Sequence, residues 1–230
     1  MANNNVQQTP QEESRTKMEA FVLKYKKMIV GAVVALVVVV GGYICLNQFY
    51  LQPRQADAST AIAKGQELFM NQQFEKALNG DGAGYIGFLK VIDQYGSTDA
   101  GNLANLYAGL CYANMEKWQE AEKYLDNYSA GDDAMVSPAA QAALGHAYAN
   151  LNKIDDAVSA LKKAAKMADS KMETGRNNSL APQFLLSAAQ LLESQDKKAE
   201  ALEIYKSIKT DYVNSAVAST IDKYIERVSE

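Results

Sequence analysis

The stretch Leu144–Ala164, which reads LGHAYANLNKIDDAVSALKKA, decides the fold. Its small residues Gly145 and Ala157 recur at helical spacing among larger ones such as Tyr148 and Leu161. Small side chains at such positions let two antiparallel helices approach closely, and the larger ones fill the spaces on either side. The stretch therefore predicts a tightly packed helical hairpin.

A second copy of this pattern precedes the first by 36 residues. Gly109 and Ala121 stand 36 positions before Gly145 and Ala157, and Trp118 opens the second helix of that copy. Repeats of this length, with small residues at these places, resemble the tetratricopeptide (TPR) repeat. The positions that match the TPR packing signature are Gly65, Ala77, Gly109, Tyr112, Ala121, Leu144, Gly145, Tyr148, Ala157, Ala164 and Ala201.

Two weaker copies flank these repeats. The intervals Ala77 to Ala121 and Ala157 to Ala201 are both 44 residues, which places insertions of about ten residues near 79–87 and 170–180. The apolar spacing over 216–228 predicts a capping helix, which a repeat array needs to cover its last unit. Strand signals are absent from the sequence pattern. The predicted fold class is all-α: one N-terminal transmembrane helix, then a TPR-like hairpin solenoid of about four repeats over 56–230, with a C-terminal capping helix.

The uncharged run Met28–Leu46 predicts a transmembrane anchor within residues 28–50. As a helix it spans roughly 28 Å, close to the thickness of a bilayer core. A cleaved signal peptide ending near Ala58 and a lipoprotein modified at Cys45 are the competing interpretations. The anchor is favoured because the leader is long and acidic in part, the apolar run is longer than a signal core, and a bulky Ile44 precedes the cysteine.

The first 27 residues form a predicted cytoplasmic tail. Lys24, Lys26 and Lys27 lie directly before the apolar run, and the next basic residue after it is Arg54. The positive-inside rule therefore keeps the N-terminus in the cytoplasm and exports the rest. Residues 1–14 are expected to be disordered, and residues 15–27 to form a short juxtamembrane helix.

Composition argues against several functional classes. The net charge is −4 and the part after the anchor is acidic, which matches nucleic acid poorly. There is one histidine, His146, and two widely separated cysteines, so no metal site or disulfide is predicted. The sequence contains no recognisable catalytic set or phosphate-binding loop. We therefore expect no enzymatic activity, no catalytic or metal-binding residues, and no cofactor.

The first helices of TPR hairpins line a concave groove, and the register assigns residues of this chain to it. The predicted groove is apolar in its first half, polar in its second, and lacks lysine and arginine, which argues against capture of a C-terminal carboxylate. An apolar groove suits unfolded or amphipathic segments, although its leucines can equally serve internal packing. The assigned residues are Ile62, Phe69, Met70, Leu103, Leu106, Leu110, Asn114, His146, Asn150, Leu186 and Gln190.

A basic tail, one anchor and an exported repeat domain together resemble the ancillary Sec-translocon subunits of bacteria. The stretches Ala77–Gly82, Phe88–Ser97 and Asn102–Gly109 are similar to the variant found in the Bacteroidetes lineage. The resemblance implies an inner-membrane protein with a periplasmic domain that assists newly exported proteins. Its implied partners are the Sec translocon channel, periplasmic folding factors and exported clients. The alternative is a structural scaffold in an envelope assembly or secretion complex, docked through its groove or its insertions.

Overall fold

A computed structural model describes residues 10–173 and 175–229, and every regular element within them is helical. The all-α prediction is thereby confirmed for the described chain. The helices are α1 (Pro10–Leu46), α2 (Gln52–Met70), α3 (Phe74–Asn79), α4 (Phe88–Tyr95), α5 (Asp99–Asn114), α6 (Trp118–Asp126), α7 (Val136–Asn150), α8 (Ile154–Ser170), α9 (Ala181–Ser194), α10 (Lys198–Asp211) and α11 (Asp222–Ser229). A π-helical segment covers Asn47–Leu51, and a 3-10 turn covers Ala218–Thr220.

One structural unit ends at Pro53, and α1 is its main element. The valines of the apolar run, such as Val33, Val37 and Val39, are exposed around α1. Among the described residues one helix is long and apolar enough to cross a membrane. Helix α1 begins at Pro10, so it includes 10–14, which the sequence predicted as disordered. Residues 1–9 lie outside the described part.

Arg54–Glu230 forms the second, compact unit. Within it, from α4 onwards, each helix packs chiefly against the helix before it and the helix after it, and α7 with α8 is the most extensive pair. The buried residues fall into successive clusters rather than one central core. One cluster joins α2 to α5, another joins α5 to α7, and a third joins α7 to α11. This consecutive packing follows from short connections between amphipathic helices.

In each of the four hairpins a tight turn of the same geometry joins the first helix to the second. The residues Gln72, Glu116, Asn152 and Asp196 have φ between 57° and 59°, in the left-handed region. In each turn the next backbone N–H donates to a carbonyl five positions earlier, for example Lys153 to Tyr148 at 2.9 Å. These turns recur at intervals of 44, 36 and 44 residues, the same intervals that the small residues show. The four hairpins are therefore built on one backbone plan, which closes each first helix with a left-handed residue.

Ion pairs link each of the last three hairpins to the one before it. The lysine after each left-handed residue reaches a carboxylate on the preceding second helix. Lys117 lies 3.2 Å from Glu75, Lys153 lies 2.7 Å from Glu122, and Lys197 lies 2.7 Å from Asp155. The lysine side chains remain accessible to solvent, so these pairs contribute little to stability. Their regular placement shows that successive hairpins meet along similar edges.

The left-handed turns give a direct stability prediction. Glycine adopts this conformation without the roughly 1–2 kcal/mol cost that other L-residues incur. Part of that gain is offset by the extra freedom of glycine in the unfolded chain. We therefore expect Gln72→Gly to stabilise the compact unit by about 0.5–1 kcal/mol, measured by urea unfolding of the detergent-solubilised protein. Asn152→Gly should gain less, because asparagine tolerates the left-handed region better.

Asn71→Gly is the matched control, because Asn71 is equally exposed and its φ is not positive. Glycine there brings only its entropic cost, so a loss of stability is expected. A loss of stability in both variants would contradict the assigned turn geometry.

The C-terminal segment covers the last hairpin. Ile221 and Val228 are buried against α9 and α10, and Tyr224 packs on Tyr205 with ring centroids 5.4 Å apart. Arg227 donates to Glu193 at 2.6 Å, and the hydroxyl of Tyr205 donates to the same carboxylate at 2.8 Å. Helix α11 begins only at Asp222, so the helical cap is shorter than the predicted 216–228.

Candidate protein-binding surface

Three glycines fix the register of the first helices. A Cβ atom on Gly109 would lie 2.6 Å from Cγ of Leu125, and one on Gly145 would lie 2.9 Å from Cγ of Leu161. Gly65 meets the ring of Phe88 in the same way. Ala189 stands 44 positions after Gly145, at the corresponding place in α9. These four residues therefore mark equivalent positions in the four hairpins.

The structure places the signature positions at helix contacts. The glycines and alanines among these positions are buried, and so is Leu144. Tyr112 and Tyr148 are half-buried. The buried members are Gly65, Ala77, Gly109, Ala121, Leu144, Gly145, Ala157, Ala164 and Ala201.

Two predicted groove residues at equivalent positions of the first helices lie in the interior instead. Ile62 and Leu106 are only 5% and 6% exposed, and they occupy equivalent positions in α2 and α5. Leu186, at the same position in α9, is half-buried against the C-terminal cluster. This side of each first helix packs within the helical array, so the assignment of Ile62 and Leu106 to a binding groove is wrong.

Phe69 and the leucines of α5 also contribute to packing. The ring of Phe69 meets Phe74 and Tyr107 edge-on, with centroids 5.6 and 5.4 Å away. Leu103 and Leu110 are half-buried against the cluster that joins α5 to α7. Each of these three side chains is nevertheless partly accessible to solvent.

The remaining predicted groove residues are exposed on the first helices. His146 and Gln190 occupy the position in their helices that Leu110 occupies in α5. Met70, Asn114 and Asn150 share a second equivalent position. The amide of Asn114 donates to the carbonyl of Leu110 at 2.8 Å, and Asn150 repeats this bond to His146 at 2.9 Å. Because each amide is tied to its own helix, its carbonyl oxygen is held in a fixed direction at the surface. These exposed residues and the half-buried Leu103 and Leu110 are together called the uncharged face: Met70, Leu103, Leu110, Asn114, His146, Asn150 and Gln190.

The name reflects a strong asymmetry of charge. Helices α5, α7 and α9 contain two charged residues, Asp99 and Glu193, and Glu193 is bound by Arg227. The paired second helices contain four in α6, six in α8 and six in α10. Charged side chains keep a helix surface solvated, and their depletion is typical of the centre of protein interfaces. The charge pattern therefore separates a solvated side from a side suited to a partner.

The surroundings of His146 favour its neutral form. Its side chain is accessible to solvent, yet desolvation by the surrounding protein lowers the pKa of its imidazole. The lowered pKa favours a neutral imidazole at pH 7, so the face carries no formal charge there.

The first insertion packs against the first hairpin. Tyr85 is buried, and its hydroxyl donates to the carbonyl of Ala77 at 2.8 Å. The carboxylate of Asp81 accepts from the backbone N–H groups of Ala83 and Tyr85, which lowers its pKa. This loop borders a cleft of about 610 Å³ next to α2 and α4.

The second insertion is held by one carboxylate. Asp169 accepts from the backbone of Asn177 at 2.7 Å and from the hydroxyl of Tyr212 at 2.6 Å, and Arg176 lies 3.8 Å away. A cleft of about 450 Å³ lies beside this loop. Both insertions thus add shaped, polar surface to the hairpins.

Sequence reasoning missed the left-handed turns and the ion pairs that Lys117, Lys153 and Lys197 form between hairpins. The turn residues are glutamine, glutamate, asparagine and aspartate, so no glycine marked them. Their common interval was the only available signal.

No protein-family model matches the chain, and a search of curated proteins gives no significant match. Its function is therefore inferred from the structure and the sequence pattern.

Proposed function

We propose that this chain is a membrane-anchored, non-catalytic protein-binding module whose TPR-like hairpins present the uncharged face to polypeptide segments. The observation that carries the proposal is the near absence of charge on three successive first helices, beside second helices that are densely charged. A segment bound there loses its water without stranding a charged group of the protein. Asparagine and glutamine side chains at the face supply hydrogen bonds that suit any polypeptide backbone.

The proposed role is assistance to newly exported proteins at the Sec translocon of a bacterial inner membrane. The apolar helix α1 and its flanking lysines support an anchor with a cytoplasmic N-terminus and a periplasmic compact unit. The similarity of residues 77–109 to ancillary translocon subunits supports the choice of the export site. Unfolded clients emerge there as extended chains, which is the form that an uncharged face can accept.

A scaffold role in an envelope complex is the second candidate, and the insertions favour it. Both are packed against the hairpins through buried or half-buried hydrogen bonds, so they form fixed surfaces rather than loose loops. Fixed polar surfaces suit one folded partner with matching contours.

Introducing charge into the uncharged face tests the first role. We expect His146→Glu combined with Gln190→Glu to weaken binding of a permanently unfolded, reduced and carboxymethylated protein by at least about tenfold, or 1.4 kcal/mol. Both side chains are exposed, so the fold should be retained. Binding is measured by fluorescence anisotropy on the full chain in detergent.

The matched control adds the same two charges to second helices, as Gln119→Glu with Thr210→Glu, both of which are exposed. We expect this control to bind the unfolded probe as the parent does. Equal weakening by both pairs would show a general effect of net charge and refute the face as the binding site.

A photo-crosslinking residue at position 190 separates the two roles in cells. Crosslinks to several exported chains, together with recovery of the translocon channel in a gentle detergent pull-down, support export assistance. Recovery of one stoichiometric envelope complex without the channel supports the scaffold role.

A further inference from the structure

A second cleft lies between α6, α7 and α8, and the uncharged face does not include it. Its volume is about 380 Å³, within the range of pockets that bind small groups. On α7 it uses Gln141 and Tyr148, which lie on a different side of the helix from His146. The polar and aromatic residues that line it are Asp126, Tyr128, Gln141, Tyr148, Asp156 and Lys163.

Several polar groups in this cleft have no partner within the described chain. The carboxylates of Asp126 and Asp156, the amide of Gln141 and the hydroxyl of Tyr148 form no hydrogen bond or ion pair with the described residues. Two nearby carboxylates differ, since Glu122 and the neighbouring Asp155 are bound by lysines. Unpaired groups of this kind retain their full capacity to bind a ligand.

The field in the cleft is negative at the end where Tyr148 lies. Burial and the nearby carboxylates of Asp126, Glu122 and Asp156 raise the pKa of the Tyr148 hydroxyl. The chain already places one cation against this ring, because Nζ of Lys153 lies 5.6 Å from its centroid. That ammonium is engaged by Glu122 at 2.7 Å, which leaves the other two carboxylates available.

Lys163 is the only cation that lines the cleft among the described residues, and it lies at a distance from the negative end. It follows Asp156 by seven residues on α8, a rise of about 10 Å along the helix. Its charge therefore reduces the negative potential only in part.

We propose that this cleft binds the cationic side chain, arginine or lysine, of a partner polypeptide. Asp126 and Asp156 approach from two different helices and accept hydrogen bonds from the guanidinium or ammonium group. The ring of Tyr148 lines the same cleft, and Gln141 supplies a neutral acceptor. The cleft thus adds a charge-selective contact to the protein, and it stands independently of the uncharged face.

The probe is a fluorescein-labelled peptide of glycine and serine with one central arginine, compared with the same peptide bearing citrulline, which has a similar shape and no charge. Binding to the full chain in detergent is followed by anisotropy at low salt. We expect the arginine peptide to bind at least about tenfold more tightly. Asp126→Asn with Asp156→Asn should remove this preference, and Lys163→Gln should increase it.

The opposite effects of these variants exclude a simple structural cause, because all three side chains are exposed and none forms a contact that holds the fold. Retention of the arginine preference in the His146→Glu, Gln190→Glu variant would show that the cleft acts apart from the uncharged face, whereas its loss there would refute a separate site. Equal binding of the two peptides, absence of binding, or a preference that survives the double asparagine variant would overturn the proposal.

Discussion

Phe88→Ala is expected to destabilise the compact unit by about 3–5 kcal/mol, the range for truncation of a fully buried phenylalanine. Phe88 opens α4 and has no exposed surface. Its ring stacks on Tyr107 with centroids 5.4 Å apart and meets Tyr85 edge-on at 6.1 Å. It also fills the space that Gly65 leaves open. Removal of the ring therefore opens a cavity where the first insertion, α2 and α5 meet.

The measurement is urea unfolding followed by the fluorescence of Trp118, the only tryptophan of the chain. Phe88→Leu is the matched variant, because Leu125 and Leu161 face the glycines of the next two hairpins as Phe88 faces Gly65. It keeps most of the buried volume, so a loss of about 1.5 kcal/mol or less is expected. If the alanine and leucine variants unfold at the same urea concentration, Phe88 does not hold these elements together as described.

Gly101→Ala is expected to destabilise the compact unit by about 2–3 kcal/mol, even though alanine favours helices. A Cβ atom at this position in α5 would overlap the backbone carbonyl of Tyr95, at the end of α4. A clash with backbone cannot be relieved by rotation of a side chain, so α4 and α5 must move apart. The gain of about 1 kcal/mol in helix propensity offsets only part of this cost.

Two other glycines provide a graded comparison for this experiment. At Gly109 the closest atom belongs to the side chain of Leu125, with backbone 3.0 Å away, so a smaller loss is expected. At Gly145 the nearest backbone atom is 3.3 Å away, and the gain in propensity should nearly cancel the cost. The expected order of destabilisation, 101 before 109 before 145, is read from urea midpoints. A reversed order would contradict the close approach of α4 and α5.

The repeat register could be predicted from sequence, because close helix contacts admit only small residues. Gly109, Gly145, Ala121 and Ala157 therefore revealed the 36-residue interval, and the turns of the structure recur at the same intervals. The apolar run before residue 47 predicted a helix able to cross a membrane for an equally direct reason, since its length and lack of charge are the property itself.

The exposed face could be predicted only in part. Ile62 and Leu106 looked like groove residues because they lie on the first helices and are apolar. A first helix that packs on both neighbouring hairpins buries more than one stripe, and a buried stripe and a binding stripe have similar composition. Helical periodicity gives the angle of a residue around its helix and carries no information about which neighbour covers that angle.

The sequence by itself determined the helical class, the apolar helix and the register, because each depends on residues near one another along the chain. The tertiary structure alone decided that Leu106 packs inside while His146 is accessible, and that Asp126 and Asp156 converge on one cleft. Those relations join residues on different helices, and the distances between helices are set by packing across hairpins, which no local pattern encodes.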